Sequence, residues 1–138
     1  MNTLTLVFNK DLNKVLMCYD NECSKYNFIS GKVDYIESEI EASYRELLAK
    51  TGITEDNIDL KFIELESTAF SNRILGTHSL YVTAGVLKED VELKEESNRL
   101  IWVDVDDIEF LMNAYGQGSC YTYLRRALFT LTGDLKYF

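Results

Sequence analysis

The chain has no proline among its 138 residues, so glycine, asparagine and aspartate must supply its turns. It also has no apolar run that approaches the ~18 residues a membrane-spanning helix needs. The N-terminus, Met1-Asn2-Thr3-Leu4, lacks the basic segment and apolar core of a secretory signal. We therefore expect a cytoplasmic protein without a membrane partner.

Cysteine and histidine are also scarce. The chain has three cysteines, Cys18, Cys23 and Cys120, and a single histidine, His78. Because the cysteines are odd in number and follow no framework spacing, we expect reduced thiols. A zinc site is not expected, since Cys18 and Cys23 lack a second pair and His78 lies far along the chain.

Positive charge is limited to 14 Lys and Arg residues against 23 Asp and Glu, which gives a formal net charge of −9. Clustered Lys and Arg are what bind phosphate backbones, so duplex nucleic acid is not expected as the main partner. A small anionic ligand fits this charge only if a metal or a few local basic side chains supply positive charge.

What is present is typical of a folded soluble protein, with 46% hydrophobic and 27% charged residues. The length fits one domain, and no internal repeat or linker interrupts it, so we expect residues 1–138 to form a single domain.

Hydrophobic periodicity predicts strands interleaved with helices, and hence a mixed sheet covered by helices. Strands are predicted at residues 4–8, from 15, and at 61–65, 79–87 and 100–103, with loops at 20–27 and 89–98. Helices are predicted at residues 38–51, from Asp104 or Asp106 through Met112, and at 119–130. In the first helix the inward face is Ile40, Tyr44, Leu47 and Leu48, and Gly52 is placed as its C-cap.

Residues 31–53, GKVDYIESEIEASYRELLAKTGI, carry the most specific pattern. They resemble the Nudix box, which reads Gly, five residues, Glu, seven residues, Arg-Glu-apolar, one residue, Glu-Glu, one residue, Gly-apolar. The matching positions are Gly31, Glu37, Arg45, Glu46, Leu47, Gly52 and Ile53.

The resemblance implies an α/β/α sandwich with a mixed β-sheet and a MutT-like pyrophosphohydrolase. Such enzymes cleave a nucleoside diphosphate linked to another moiety, using Mg²⁺ or Mn²⁺ held mainly by the box glutamates. The implied partner is a small nucleotide derivative, and family members are often homodimers.

The sequence departs from the family at positions 49 and 50, where two glutamates belong and Ala49 and Lys50 stand. Alanine cannot ligate a metal, and a protonated lysine has no lone pair. Ile29-Ser30 also replace the usual Pro-Gly before the box. We therefore expect weak or altered hydrolysis, or alternatively a non-catalytic nucleotide-sensing or protein-interaction module.

Three residues of this segment, Glu46, Glu37 and Lys50, have more than one interpretation. Glu46 is a base or metal ligand, or the partner of Lys50 in an ion pair four residues on. Glu37 is a residual metal ligand, or it orients Arg45 or caps the helix. The resemblance implies that Arg45 holds the loop and helix together, as its counterpart in the family does, and Gly31 is expected to form a tight turn before the helix. Lys50 either contacts a ligand phosphate in place of the metal or is a solvated lysine.

Outside the box, the predicted loop at residues 89–98 is acidic, and its Glu95 and Glu96 are further, weak candidates for metal ligands. The alternative is that this run of charges is solvated. Arg125 and Arg126 are expected on the wet face of the last helix, with phosphate contact as the alternative.

Overall fold

A computed structural model describes residues 1–20, 25–68, 78–94, 99–110 and 120–138. Within these residues the strands are β1 (Asn2–Phe8), β2 (Lys14–Asp20), β3 (Lys25–Asn27), β4 (Ile29–Lys32), β5 (Lys61–Thr68), β6 (His78–Val86) and β7 (Leu100–Asp104). The helices are α1 (Glu39–Thr51) and α2 (Cys120–Thr132), with 3₁₀ turns at Val105–Asp107 and Leu135–Tyr137.

The strands form one mixed sheet in the order β3-β2-β1-β6-β5, with β4 paired to β1 and β7 paired to β2. β1 runs parallel to β6 along its whole length. Its other edge is shared between two strands, because β4 pairs with residues 2–5 and β2 meets it only at Phe8↔Val15. The strands β2 and β4 therefore lie at opposite ends of the same edge of β1.

Each face of the sheet is covered by one described helix, as an α/β/α sandwich requires. On one face α2 contributes Leu124, Ala127 and Leu128 to a core that includes Leu6 and Phe8 of β1. On the other face α1 contributes Leu47 to a core built around Val7, Leu16, Ile29, Ile53, Ile58 and Leu87. Successive residues of a strand point to opposite faces, so β1 serves both cores.

Helix α1 begins and ends where its sequence predicts. Ser38 caps the N-terminus in a capping box with Glu41, and Gly52 ends the helix in the left-handed conformation at φ 83°. The predicted inward face is wrong at Leu48, which is 49% exposed. The buried side of α1 is instead formed by Ala42, Ser43, Leu47 and Thr51. Leu48 is rotated about 100° from Leu47 and so lies outside that stripe.

The loop predicted at residues 20–27 is also wrong in part. Residues 25–27 form β3 and pair with β2 through Cys18↔Asn27 and Tyr19↔Tyr26. A three-residue strand is too short to show an alternating pattern, so its pairing partner decides its structure. The strand β4 was missed for the same reason.

The C-terminal region follows its predicted pattern, since Leu124 and Leu128 of α2 are buried. Asp104 precedes the 3₁₀ turn without a side-chain capping hydrogen bond, and residues 108–110 continue as helix. In the described part of the chain, none of the helices combines the length and apolarity needed to cross a membrane.

Candidate functional site

Arg45 on α1 organises the loop that enters the helix. Its guanidinium donates to both carboxylate oxygens of Glu37, at 2.6 to 3.1 Å, and to the backbone carbonyl of Lys32 at 2.7 Å. It also donates to Glu46 Oε1 at 2.8 Å. Arg45 therefore connects the end of β4, the loop and the helix.

Glu37 is used within this network. Hydrogen bonds from Arg45, and then from the backbone N–H of Asp34, hold the pKa of Glu37 below its usual range. The same pairing with Glu37, and with Glu46, raises the pKa of the Arg45 guanidinium. The helix cap is Ser38 and not Glu37. Of the roles considered for Glu37, the geometry therefore favours orientation of Arg45.

Gly31 lies in β4 and has no positive φ, so the predicted tight turn is wrong. The reason for a glycine is a close approach by Glu46. A Cβ added at Gly31 would lie 2.1 Å from Glu46 Cγ and 2.3 Å from its Cδ. Glycine therefore leaves the space that the Glu46 side chain occupies next to β4.

Lys50, one turn after Glu46, faces the same space. Its ammonium donates to the backbone carbonyl of Ser30 and lies 3.5 Å from Glu46 Oε2. The ion pair considered from the sequence is therefore present. Because Ser30 belongs to β4, the contact also holds the last turn of α1 against the sheet.

Ser30, Gly31, Glu46 and Lys50 line a cleft of about 620 Å³. Its walls are formed by β1, β4, Glu46 and Lys50 of α1, Leu80 of β6 and Tyr123 of α2. The volume lies within the ~300–1,000 Å³ typical of small-molecule sites.

The cleft also contains the buried hydroxyl of Thr3. Thr3 is 1% exposed, and its Oγ1 has no hydrogen-bond partner among the described residues. It pairs in register with Gly31, so the two residues lie side by side beneath Glu46. A buried hydroxyl gains from a hydrogen-bond partner, so Thr3 is a polar point on the wall of the cleft.

The described lining of the cleft offers little to a divalent cation. Mg²⁺ is usually held by one or two carboxylates together with waters and substrate phosphates. Glu46 is the only carboxylate among the described residues that line the cleft, and it is engaged by Arg45 and Lys50. No group of three or more His, Cys, Asp or Glu side chains in the described ranges is arranged to hold a metal.

The remaining sequence candidates are two glutamates of the predicted loop at residues 89–98 and two arginines of α2. Glu95 and Glu96 lie outside the described residues; Lys94, just before them, donates from Nζ to the Ala49 carbonyl at 3.1 Å. Arg126 forms an ion pair with Glu64, and Arg125 donates to the Lys136 carbonyl at 3.1 Å, so neither borders the cleft.

A smaller side cavity of about 270 Å³ adjoins the cleft. Asn27, Ser30 and Lys50 line both spaces, and Arg99 lines only the side cavity. Sequence reasoning missed Thr3, Ser30 and Arg99. Only the replacement of the usual Pro-Gly by Ile29-Ser30 pointed to this part of the site.

The fold has close counterparts among solved structures, although no protein-family model and no curated protein matches the sequence. The C. elegans Ap4A hydrolase superposes with a TM-score of 0.71 at 18% identity, over 95% of this chain and 97% of that chain. The E. coli dihydroneopterin triphosphate pyrophosphohydrolase gives 0.70 at 14% identity, over 87% and 90% of the two chains.

A third structure is the NUDIX domain of Shewanella oneidensis NrtR, complexed with ADP ribose. It superposes with a TM-score of 0.64 at 14% identity, over 92% of this chain and 86% of that chain. All three identities are low, so the likeness concerns the fold.

Proposed function

We propose that this chain, which has the Nudix fold, binds a nucleoside diphosphate derivative in its cleft without a divalent cation. In this proposal hydrolysis is slow or absent, and the chain acts by binding. The observation that carries the proposal is the Lys50 ammonium, bonded to Ser30 and Glu46 on the cleft wall.

The chemistry of Lys50 suits a phosphate. A protonated lysine has three donors and no acceptor. One proton is donated to the Ser30 carbonyl, and Glu46 Oε2 lies 3.5 Å away, which leaves donor capacity for a ligand oxygen. The ammonium thus gives the cleft a local positive charge, although the net charge of the whole chain is −9.

The known relatives of the fold support a nucleotide-like ligand. Two of the structures above are enzymes named for nucleotide or pterin polyphosphate substrates, and the third holds ADP ribose. The cleft volume of about 620 Å³ accommodates a ligand of that size.

Slow hydrolysis follows from the missing ligands. A catalytic cation polarises the phosphoryl group and activates water, which is worth several kcal/mol. Each ~1.4 kcal/mol corresponds to about tenfold in rate, so the loss leaves roughly a thousandth of normal activity or less.

Calorimetric titration of ADP-ribose in EDTA tests the proposal. We expect wild type to bind, and Lys50→Gln to bind at least tenfold more weakly, because a hydrogen bond to a charged group is worth about 1.5–3 kcal/mol. Lys61→Gln, on an exposed lysine of β5, is the matched control and should bind as wild type does. Binding that requires Mg²⁺, or that survives in Lys50→Gln, would overturn the proposal.

A converse variant tests the role of the two departures. Ala49→Glu combined with Lys50→Glu restores both acidic positions beside Glu46. We expect the dissociation constant for Mn²⁺ to fall at least tenfold relative to wild type, while EDTA-insensitive ADP-ribose binding is lost. An unchanged Mn²⁺ affinity would mean that the side chains at positions 49 and 50 do not determine whether this site binds a metal.

The second candidate function is a protein-interaction module, favoured by apolar exposure on β5. Phe62 and Leu65 are 52% and 56% exposed on this strand, which ends the described sheet. An exposed apolar edge strand is prone to pair with another chain. If the chain forms a homodimer through β5, light scattering should give a dimeric mass for wild type and a monomeric mass for Leu65→Glu. A monomeric wild type would contradict this candidate function.

A further inference from the structure

The side cavity next to the cleft is enriched in positive charge. Lys50 and Arg99 line it together with Cys18, Tyr19, Asn27 and Ser30, and none of the described residues that line it is acidic. This is unusual in a chain with 23 acidic and 14 basic residues. A cavity whose described lining has two cations and no carboxylate favours an anion, with Glu46 facing Lys50 from the neighbouring cleft.

The two cations reach the cavity from different parts of the fold. Lys50 lies in the last turn of α1 and is held by the Ser30 carbonyl. Arg99 directly precedes β7, and its backbone carbonyl accepts the N–H of Tyr19 at 3.0 Å, which fixes its position against β2. The backbones that carry both side chains are therefore anchored.

The size of the cavity restricts what it can hold. At about 270 Å³ it falls below the ~300–1,000 Å³ of sites that enclose a whole small molecule. Because Asn27, Ser30 and Lys50 line both spaces, a ligand in the cleft can extend across Lys50 into the side cavity.

We infer that the side cavity is an anion subsite in which Arg99 and Lys50 bind a phosphate of the ligand, with its organic part in the larger cleft. The inference rests on the proposed function and extends it. The planar guanidinium of Arg99 donates two parallel hydrogen bonds to phosphate oxygens, and Lys50 contributes a point charge. The preferred ligand is a diphosphate, with one phosphate on each side of Lys50.

The first test uses inorganic pyrophosphate, which isolates the anion subsite from the rest of the cleft. In EDTA we expect calorimetry to show binding to wild type and at least tenfold weaker binding to Arg99→Gln. Arg99→Lys, which keeps the charge and loses the fork, should be intermediate. Arg125→Gln is the matched control, because Arg125 lines a separate cavity, and it should match wild type. Equal pyrophosphate affinity in wild type and Arg99→Gln overturns the inference.

Parallel titrations with ADP-ribose separate this inference from the proposed function. Loss of ADP-ribose binding in Lys50→Gln with no change in Arg99→Gln refutes the subsite and leaves the proposed function standing. Pyrophosphate binding that depends on Arg99, without any ADP-ribose binding, supports the subsite and refutes the proposed function. A wild-type chain that binds neither ligand refutes both.

Cys18 provides a readout of location. It is a half-buried free thiol that lines the side cavity. We expect pyrophosphate to slow alkylation of Cys18 by iodoacetamide severalfold in wild type and not in Arg99→Gln, with each cysteine followed separately by peptide mapping. Alkylation of Cys18 that pyrophosphate does not slow in wild type would place the anion elsewhere and overturn the inference.

Discussion

The contact between Gly31 and Glu46 is the tightest constraint at the scale of single residues. Sequence reasoning assigned the glycine to a turn, whereas the structure places it in a strand under a glutamate side chain. The box pattern predicts a glycine at this position but not the reason for it. The reason is the side chain of Glu46, which lies fifteen positions later in the sequence, on α1.

Gly31→Ala tests this contact directly. The new methyl group would meet Glu46 Cγ at 2.1 Å, so we expect a loss of about 1–3 kcal/mol in the free energy of unfolding. Glu46→Ala removes the obstacle, so the double variant should recover most of that loss relative to Glu46→Ala alone. Urea denaturation of the four proteins gives the coupling energy. Additive effects would contradict the clash.

The ion pair of Glu37 with Arg45 predicts a pH dependence of stability. The pKa of Glu37 is lowered in the folded protein, first by Arg45 and then by the N–H of Asp34. Its contribution is therefore present above the unfolded pKa of about 4.3 and is lost as the pH falls through the folded value. The gap in melting temperature between wild type and Glu37→Gln should be constant from about pH 6 to 8 and shrink below about pH 5.

The control for this experiment is Glu55→Gln, at an exposed carboxylate in the loop after α1. Its gap from wild type should change little over the same range. A Glu37→Gln gap that stays the same down to about pH 3 would show that the Arg45 contact does not stabilise the ionised form.

The site residues that belong to the box motif could be predicted from the sequence. The site residues that strand pairing brings to the cleft could not. Glu46 and Lys50 share one helix, so their spacing alone predicts their contact. Thr3 reaches the cleft because β1 pairs with β4 in one register, and Arg99 because β7 pairs with β2. No local pattern encodes those pairings.

At the scale of elements, α1 depends on its N-terminal cap. Ser38 Oγ accepts the N–H of Glu41 at 3.2 Å, and Glu41 Oε1 accepts the N–H of Ser38 at 3.3 Å. Ser38→Ala removes the Oγ acceptor and leaves the backbone N–H, so we expect a loss of about 0.5–2 kcal/mol in unfolding free energy. Ser38→Gly should lose only a few tenths, and an unchanged stability of Ser38→Ala in urea denaturation would mean that the Oγ cap contributes nothing.

The elements that the sequence predicted well are those with long periodic patterns. β1 and β6 have seven and nine residues, and α1 and α2 each extend over 13 residues. β3 and β4 have three and four residues, so sheet pairing, and not their own composition, determines them.

At the scale of the whole molecule, β1 is the strand on which both cores depend. Residues 3–8 are at most 4% exposed, and β1 pairs with β2, β4 and β6. By contrast β3 has three residues and pairs only with β2 in the described sheet.

Hydrogen exchange should follow this hierarchy. We expect amides of β1 and β6 to exchange only through global unfolding, and those of β3 to exchange through local opening at much lower free energy. Exchange followed by mass spectrometry, with urea denaturation giving the global free energy, measures both. Equal protection of β1 and β3 would contradict a stability centred on β1.

The bond between Lys50 and the Ser30 carbonyl also has an entropic consequence. Fixing a freely rotating lysine costs roughly 2 kcal/mol of rotamer entropy. Here β4 holds the ammonium before any ligand arrives, and Glu46 lies within 3.5 Å of it. That ordering cost belongs to folding and not to association, which preorganises the site. If the proposed function holds, a ligand would meet a lysine that is already ordered, so that little further side-chain entropy would be lost when it binds.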